Sequence, residues 1–198
     1  MSRRIVMFNR VSADGCFAGP DGNLDWVVPD PEIDRGAKDA AAQFDTILLG
    51  RRTYEMFARF WPHVDVSAAS VAGPHGGRSA DLREMAIFLN DAAKLVFSTS
   101  MTDASWKNSR VLDRVDPVEI ASMKRGGGKD MIVFGSGSIV SQLARHGLVD
   151  EYQFVVSPVL IGNGRHMMSA LDATTRLTLL ESKPYAAGNV MLRYGRGQ

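Results

Sequence analysis

The sequence contains little cysteine, little net charge and no long apolar run. Cys16 is the only cysteine, which excludes an internal disulfide framework and a cysteine-rich zinc site. The 23 basic residues nearly balance 22 acidic ones, and a net charge of +1 argues against a nucleic-acid-binding protein that depends on a strong basic field. No stretch of about 18 apolar residues occurs, so no membrane-spanning helix is expected. We therefore expect neither nucleic acid nor membrane as a partner, and the cysteine content suits a reducing cytoplasm.

Short apolar segments alternate with helical patterns over the first two-thirds of the chain. The first segment, 4–11, has an apolar run too short for a signal peptide and suited to a buried strand. Further strands are predicted at 46–49, 94–98 and 131–134, and helices at 31–43, 53–60, 81–90, 117–124 and 137–146. Short, continuously apolar strands between helices predict a mainly parallel sheet that is covered on both faces.

The last third of the chain is mostly strand, with predicted strands at 149–157, 175–182 and 189–194. There is no internal repeat, and 198 residues suit one domain. The glycine-rich stretch 72–79 is predicted to be a mobile surface loop. We predict one α/β domain over residues 1–198: a mainly parallel mixed sheet flanked by helices, with antiparallel strands at its C-terminal end.

Three strand ends carry polar residues or glycines where a ligand would bind, beyond the carboxyl ends of parallel strands. At 135–139 a buried strand runs into Gly-Ser-Gly and then into a helix. Glycines let a phosphate approach the backbone, and the N–H groups at the start of a helix point towards it. The hydroxyls of Ser136 and Ser138 add donors. An ordinary tight turn is the alternative interpretation.

The other two strand ends carry arginines and hydroxyls. Arg51 and Arg52 open a helix, where cations oppose the helix dipole, and an anionic ligand held by their guanidinium groups would relieve that conflict. Solvated arginines that pair with Glu55 or other acids are the alternative. Ser98 and Thr99 suit a ribose or its phosphate, or they cap the next segment. Three such strand ends on one sheet predict a binding site for a long, anionic dinucleotide.

Five short segments carry a resemblance to a known family. They are 11–18 (VSADGCFA), 49–55 (LGRRTYE), 134–137 (FGSG), 147–151 (GLVDE) and 158–164 (PVLIGNG). The chain resembles the dihydrofolate reductase-like superfamily, and more closely the reductase domain of riboflavin biosynthesis, which is the C-terminal domain of a bifunctional deaminase-reductase. One cysteine cannot supply the zinc deaminase signature, so the resemblance is to a stand-alone reductase domain.

The resemblance implies NADPH as hydride donor and, often, a homodimer. It implies that the segment starting at Gly50 binds cofactor phosphates. It also implies that Ser98 and Thr99 bind the adenosine ribose and its 2′-phosphate. The pyrophosphate would lie on the glycine turn, and the nicotinamide beside Ala18. The implied cofactor residues are Ala18, Gly50, Arg51, Arg52, Thr53, Ser98, Thr99, Gly135, Ser136, Gly137, Ser138 and Ile139.

The substrate side of the predicted site is less defined. Dihydrofolate reductases carry a carboxylate in the helix after the first strand, and Asp34 and Glu32 both occupy that helix here, where first-turn acids also suit the helix dipole. Asp14 would contact substrate or order the nicotinamide loop, or it forms an Asp-Gly turn. Trp26 would stack on a planar heterocycle, or it packs in a core or lid. The four histidines show no metal-ligand spacing, and no metal is expected.

The favoured hypothesis is an NADPH-dependent reductase that acts on a small heterocyclic or ribosylaminopyrimidine-like substrate, similar to a 5-amino-6-(5-phosphoribosylamino)uracil reductase. Two alternatives remain open. One is a true dihydrofolate reductase. The other is a nucleotide-binding protein that keeps the cofactor cleft but lacks the chemistry.

Overall fold

The computed structural model describes residues 2–74 and 78–197. The strands within these residues are β1 (Ile5–Ser12), β2 (Cys16–Ala18), β3 (Phe44–Gly50), β4 (Val71–Ala72), β5 (Arg78–Ser79), β6 (Ala93–Phe97), β7 (Ser109–Leu112), β8 (Asp130–Phe134), β9 (Glu151–Ser157), β10 (Arg165–His166), β11 (Leu177–Pro184) and β12 (Val190–Arg196). The α-helices are α1 (Pro31–Ala41), α2 (Arg51–Ala58), α3 (Ala80–Asp91), α4 (Pro117–Arg125) and α5 (Gly137–Arg145), and Trp61–His63 forms a 3-10 turn.

The main sheet has eight strands in the order β11-β12-β9-β1-β8-β3-β6-β7. β1 runs parallel to β8 and β9, β3 runs parallel to β8 and β6, and β6 runs parallel to β7. β12 is antiparallel to both β9 and β11. This arrangement confirms the predicted class: a mostly parallel central sheet with antiparallel strands at the C-terminal end.

Alternate residues of the sheet pack into two separate hydrophobic clusters, one on each face. Ile5 and Met7 lie in one cluster with Leu143 of α5, whereas Val6 lies in the other with Leu89 of α3. Side chains along a strand point alternately to the two faces. Helices therefore cover both faces of the central strands, as the continuous apolar strands predict.

Helix boundaries follow local sequence signals. The carboxylate of Asp30 accepts hydrogen bonds from the N–H groups of Glu32 and Ile33, so α1 begins at Pro31 as expected. α2 begins at Arg51, two residues before the predicted start, because Gly50 passes directly from strand to helix. The edge strand β7 was not predicted, since its residues are at most half-buried and only pairing with β6 defines it.

The stretch 72–79 is described only in part. Its ends belong to the two-residue strands β4 and β5, which pair with each other. Residues 75–77, which include His75, lie outside the described part of the chain. Within the described part, no helix is both long and apolar enough to cross a bilayer, and no group of three or more potential metal ligands comes together.

Candidate functional site

A cavity of about 1210 Å³ lies beyond the carboxyl ends of β1, β3, β6 and β8. All of the residues predicted to bind the cofactor line it: Ala18, Gly50, Arg51, Arg52, Thr53, Ser98, Thr99, Gly135, Ser136, Gly137, Ser138 and Ile139. The predicted strand ends thus share one space. Ligand cavities commonly measure about 300–1,000 Å³, so this one has room for a dinucleotide and a second molecule.

A buried hydroxyl pair joins two of the predicted cofactor segments. The Oγ of Ser136, in the turn between β8 and α5, accepts a hydrogen bond from the backbone N–H of Gly50 at 2.7 Å. The same oxygen lies 2.8 Å from Oγ1 of Thr53, in the first turn of α2. Only one of the two hydroxyl hydrogens is needed for the bond between them. The other remains available to a ligand in the cavity.

The glycines of the β8–α5 turn are required by packing as well as by backbone conformation. Gly135 has φ 57°, and a Cβ there would lie 2.8 Å from Oγ1 of Thr53. A Cβ on Gly137 would lie 2.6 Å from the carbonyl oxygen of Met167. Their missing side chains let the turn approach α2 and the 167 segment closely, and this fixes the start of α5 at the cavity.

Two helix N-termini that face the cavity differ from the others in the fold. α1, α3 and α4 each begin with a side chain that accepts a backbone N–H, and each has an acid in its first turn. α2 and α5 begin at Gly50 and Ser136 without a side-chain cap and without an acid in the first turn. The first N–H groups of a helix have no acceptor within the helix. Both helices therefore offer unused donors and the positive end of the dipole to one cavity.

The arginines of α2 have different surroundings. Nη1 of Arg51 lies 3.0 Å from Oε1 of Glu55, one helical turn away, as the alternative interpretation expected. Within the described residues, no carboxylate forms an ion pair with Arg52 or with Arg114, which follows β7 and also lines the cavity. Among the described residues, Arg165 also lines the cavity without an acidic partner, and its guanidinium bonds to the carbonyl oxygen of Pro20.

The third strand end both caps the following segment and lines the cavity. The Oγ of Ser98 accepts hydrogen bonds from the N–H groups of Ser100 and Met101, at 3.2 and 3.0 Å. The backbone N–H of Ser98 donates to the carbonyl oxygen of Leu112 in β7. This hydrogen bond brings the Ser98 turn beside the loop that carries Arg114. Thr99 is exposed at the same edge. The capping interpretation therefore holds for Ser98, and the predicted contact of Thr99 with a ligand stays a prediction.

The structure separates the two candidate carboxylates. Asp34 lines the cavity, and its Oδ1 lies 3.1 Å from Nη2 of Arg10 on β1. Burial lowers the pKa of the Arg10 guanidinium, while the charges of Asp34 and Asp30 oppose that shift. Glu32 lies on an exposed part of α1, where its carboxylate binds Nζ of Lys183 at 2.6 Å, and it does not line the cavity. The geometry favours Asp34 over Glu32.

Asp14 is not among the lining residues and holds one loop to another. Its carboxylate accepts hydrogen bonds from the N–H groups of Ile161 and Gly162, the latter at 2.7 Å. A hydrogen bond from Ser12 and the bond from Gly162 lower the pKa of Asp14 to about 2, so the carboxylate stays charged at neutral pH. Asp14 thus joins its own loop to the 158–164 loop, and its predicted contact with substrate stays a prediction.

Trp26 is half-buried, and it too is absent from the lining of the cavity. Its indole Nε1 is buried without a hydrogen-bond partner among the described residues. Ala18 does line the cavity, and β2 is held in place by antiparallel pairing with β10. The structure therefore places the predicted nicotinamide contact in the cavity and the predicted stacking residue outside it.

Comparison with known proteins identifies the family. The sequence profile of the RibD C-terminal domain matches residues 3–191. The chain belongs to this family. The uncharacterized protein YyaP of Bacillus subtilis (strain 168) is 26% identical over 196 residues, which cover 97% of this chain and 94% of YyaP.

Solved structures with similar folds agree with the RibD C-terminal domain assignment. A putative riboflavin biosynthesis protein from Shewanella sp. PV-4 superposes with a TM-score of 0.75 at 20% identity, and the alignment covers all of both chains. The dihydrofolate reductase of Enterococcus faecalis, solved with NADP(H) and the compound RAB-propyl, gives a TM-score of 0.66 at 13% identity, again over all of both chains. These likenesses establish a dihydrofolate reductase-like fold.

Sequence reasoning missed several lining residues of this RibD-type domain. Arg10 is a charged residue within an otherwise largely apolar strand, and this feature of the sequence could have indicated a polar site there. Arg114 follows a strand that was not predicted. The missed aromatic residues line the cavity beside the predicted phosphate segments: Phe8, Phe57, Phe60, Trp61 and Phe134. Single aromatic residues in strands and helices are usually core residues, so only the fold shows that these share a cavity.

Proposed function

We propose that this RibD-type domain is an NADPH-dependent reductase. The observation that carries the proposal is the convergence of two uncapped helix N-termini, those of α2 and α5, on one cavity with the cations Arg52 and Arg114. Backbone N–H groups and guanidinium groups without acidic partners are the donors that a multiply phosphorylated ligand requires. The NADP(H) named in the Enterococcus dihydrofolate reductase structure supports the choice of cofactor.

The residues present fit such a cofactor. The N–H groups of Gly137 and Ser138 and the free hydroxyl of the Ser136–Thr53 pair would hold the pyrophosphate. Arg114 stands beside the Ser98 turn and is the cation available to a 2′-phosphate, which would favour NADPH over NADH. When bound, NADPH supplies a hydride from its nicotinamide ring to an electron-poor carbon of the acceptor.

The acceptor that we propose is a small heterocyclic or ribosylaminopyrimidine-like molecule. The name of the Shewanella protein supports a role in riboflavin biosynthesis, and the reaction that we propose is like that of a 5-amino-6-(5-phosphoribosylamino)uracil reductase. Of the carboxyl groups that line the cavity, we propose that Asp34 relays a proton to the atom beside the reduced carbon, since Arg10 of β1 holds it in place. Glu32 cannot serve in this way from its position on the exposed side of α1.

Two other functions stay open to test. The fold and the cavity-lining Asp34 also suit a true dihydrofolate reductase, which would turn over dihydrofolate and be inhibited by an antifolate. The ion pair between Asp34 and Arg10 suits a non-catalytic NADPH-binding protein, because an opposite charge favours an ionised carboxylate, which has no proton to donate. The decisive assay follows NADPH oxidation by absorbance over a panel of pterins, ribosylaminopyrimidines and carbonyl compounds. Binding without turnover on the whole panel would favour the non-catalytic protein.

We also propose a homodimer of this single domain in the cytoplasm. β11 is exposed along its whole length, and Leu177, Leu179 and Leu180 on it are 37%, 55% and 55% exposed. An apolar edge of this kind favours association with a second sheet. Light scattering after size exclusion would give twice the chain mass for the wild type, and Leu179→Glu should shift the species to monomer. A monomeric wild type would contradict the dimer.

A further inference from the structure

Asn9, on β1, is a buried amide that lines the cavity and has little hydrogen bonding within the protein. Only 5% of the residue is exposed. Its Nδ2 lies 2.9 Å from Sδ of Met7, and within the described residues this thioether is the one hydrogen-bond partner of the side chain. An amide carries two N–H donors and an acceptor oxygen, whereas a thioether is a weak acceptor. Buried polar side chains are usually well bonded, so an exception that lines a cavity points to a ligand.

The carbonyl oxygen of this amide faces open space. In the described part of the chain, the buried side-chain oxygens without a hydrogen-bond partner are those of Ser109 and Ser141. Oδ1 of Asn9 also has no partner there, so it keeps contact with the cavity that Asn9 lines. Asn9 therefore presents an acceptor and a second N–H donor to the cavity. The complementary ligand group is one that offers a donor and an acceptor side by side, as a carboxamide does.

The sheet opens beside Asn9. β1 pairs with β8 as far as Phe8 and Phe134, whereas it stays paired with β9 as far as Ser12. β8 ends at Phe134, and the chain then passes through Gly135 into α5. Asn9 thus lies where a gap begins between β1 and the turn that is proposed above to hold the pyrophosphate. A planar group linked to that pyrophosphate would have access to this gap.

Asn9 lies on the cofactor side of β1. Side chains alternate along a strand, and Met7, two residues earlier, packs in the same cluster as Ile139 of α5. Arg10 points to the opposite face, where it binds Asp34 of α1. Asn9 therefore shares a face with α5, whose first turn is proposed above to bind the cofactor, while the proposed proton relay lies on the other face. A cofactor group is the favoured occupant, and not the acceptor.

We propose that Asn9 recognises the carboxamide of the nicotinamide ring and thereby fixes the orientation of that ring in the gap. Oδ1 of Asn9 accepts a hydrogen bond from the carboxamide N–H, and the second N–H on Nδ2 donates to the carboxamide oxygen. Two bonds between the same two groups restrict rotation of the ring, so Asn9 determines how the ring faces the acceptor. This inference rests on the proposed function for the identity of the cofactor.

Three ligands that differ at the nicotinamide end test the proposal by calorimetric titration. NADP⁺ carries the carboxamide, 3-acetylpyridine adenine dinucleotide phosphate has a methyl group in place of the carboxamide NH₂, and 2′,5′-ADP lacks the ring altogether. The acetylpyridine analogue loses one hydrogen bond, so we expect it to bind the wild type about three- to tenfold more weakly than NADP⁺ does. Equal affinities for NADP⁺ and the analogue would overturn the proposal.

An apolar residue of similar size at position 9 supplies the decisive comparison. Asn9→Leu should weaken NADP⁺ binding about tenfold, because neither hydrogen bond can form. It should also reduce the gap between NADP⁺ and the acetylpyridine analogue to less than about twofold, which a double-mutant cycle reads as direct coupling. Affinity for 2′,5′-ADP should stay the same, since that ligand has no group at Asn9. A gap that persists in Asn9→Leu would contradict the proposal.

Thermal unfolding separates ligand recognition from a structural role. Asn9→Leu gives up only a contact with a thioether, so the Tm of the ligand-free protein should be unchanged or higher. A lower Tm together with weaker 2′,5′-ADP binding would show that Asn9 supports the fold, and would overturn the proposal. If Asn9→Leu does not fold, Asn9→Ala makes the same comparison with a smaller side chain.

A control variant and a control ligand complete the test. Asn163 is exposed and does not line the cavity, so Asn163→Leu should leave all three affinities unchanged. Failure of both NADP⁺ and 2′,5′-ADP to bind the wild type would defeat the proposed function and this inference together. Binding of NADP⁺ with no dependence on the carboxamide would defeat this inference alone.

Discussion

Ser136 and Gly50, which are 86 residues apart in the sequence, are joined by a hydrogen bond from the Gly50 N–H to the Ser136 hydroxyl oxygen. Ser136 adopts φ 56° and ψ 61°, a left-handed conformation that is uncommon for a residue with a side chain. The bond fixes the start of α5 against the start of α2. The two segments predicted to bind the cofactor phosphates, at the starts of α2 and α5, therefore have a fixed relative position before any ligand binds.

Replacement of this serine tests that coupling. Ser136→Ala would leave the buried Gly50 N–H without its acceptor, which should lower the free energy of unfolding by about 1–3 kcal/mol. NADPH affinity should fall as well, since the two helix starts lose their mutual support. Urea denaturation and a cofactor titration measure the two effects. Ser138→Ala, at an exposed neighbour in the same turn, should change stability by less than about 0.5 kcal/mol.

The two arginines of α2 should contribute unequally to cofactor binding. Arg52→Ala removes a guanidinium without an acidic partner and should weaken NADPH binding by about tenfold or more. Arg51→Ala removes one that is already paired with Glu55, and should weaken binding only a few-fold. Fluorescence titration with NADPH gives both values. The reverse order would show that the Arg51–Glu55 pair opens in the complex.

The roles of the α1 carboxylates are distinguished by isosteric variants. Asp34→Asn should lower kcat/KM by about 10²- to 10⁴-fold, because proton delivery by a positioned acid contributes a factor of that size. Glu32→Gln should leave kcat/KM within about twofold, since Glu32 lies outside the cavity. Steady-state assays should be accompanied by thermal unfolding of both variants, because Asp34→Asn leaves the half-buried Arg10 without this ion pair. A large loss of activity in Glu32→Gln instead would reassign the acid.

Lys94 gives the fold a predictable pH dependence. Its side chain is fully buried, and its ammonium group donates to the carbonyl oxygens of Leu89 and Ala92 at 2.8 and 2.7 Å. Burial, together with the charge of Lys107, lowers the pKa of Lys94 from 10.5 to about 8. Between these values the unfolded chain binds more protons at this residue than the folded protein does, so stability rises with pH in that window.

Comparison of the wild type with Lys94→Met isolates the contribution of Lys94 to the pH dependence of stability. From pH 8 to about pH 10, the wild type should gain stability relative to the variant, because methionine does not titrate. Urea unfolding at several pH values gives the difference directly. A constant difference would mean that Lys94 stays charged in the folded protein over this range.

The sequence predicted the fold class and the three strand ends that share the cavity, because those features depend on local patterns. Continuous apolar strands such as β3 indicate a parallel sheet, and a strand that ends at Gly50 or Gly135 shows where that sheet opens to a ligand. Strand β7 was missed because its half-buried residues carry no alternation of their own. The assignment between Asp34 and Glu32 depends on which face of α1 meets Arg10, and that contact exists only in the folded chain.

The aromatic residues that line the cavity were missed for a related reason. Phe8, Phe57 and Phe134 come from distant parts of the sequence, and each one alone resembles an ordinary core residue. Asp14 shows a further case: the Asp-Gly turn that its sequence suggested is present, but its carboxylate also binds the N–H groups of a loop 147 residues further along the chain. Contacts between residues this far apart in the sequence cannot be predicted from the spacing of residue types along the chain.

The central claim, that one cavity binds NADPH, is tested most directly by thermal unfolding with and without the cofactor. A ligand that binds only the folded protein, at about 100 times its dissociation constant, stabilises it by about 2.7 kcal/mol. For a chain of this size that corresponds to a rise in Tm of about 5–10 °C. We predict such a rise with NADPH, and a smaller one in Arg52→Ala. No change in Tm at millimolar NADPH would contradict the account.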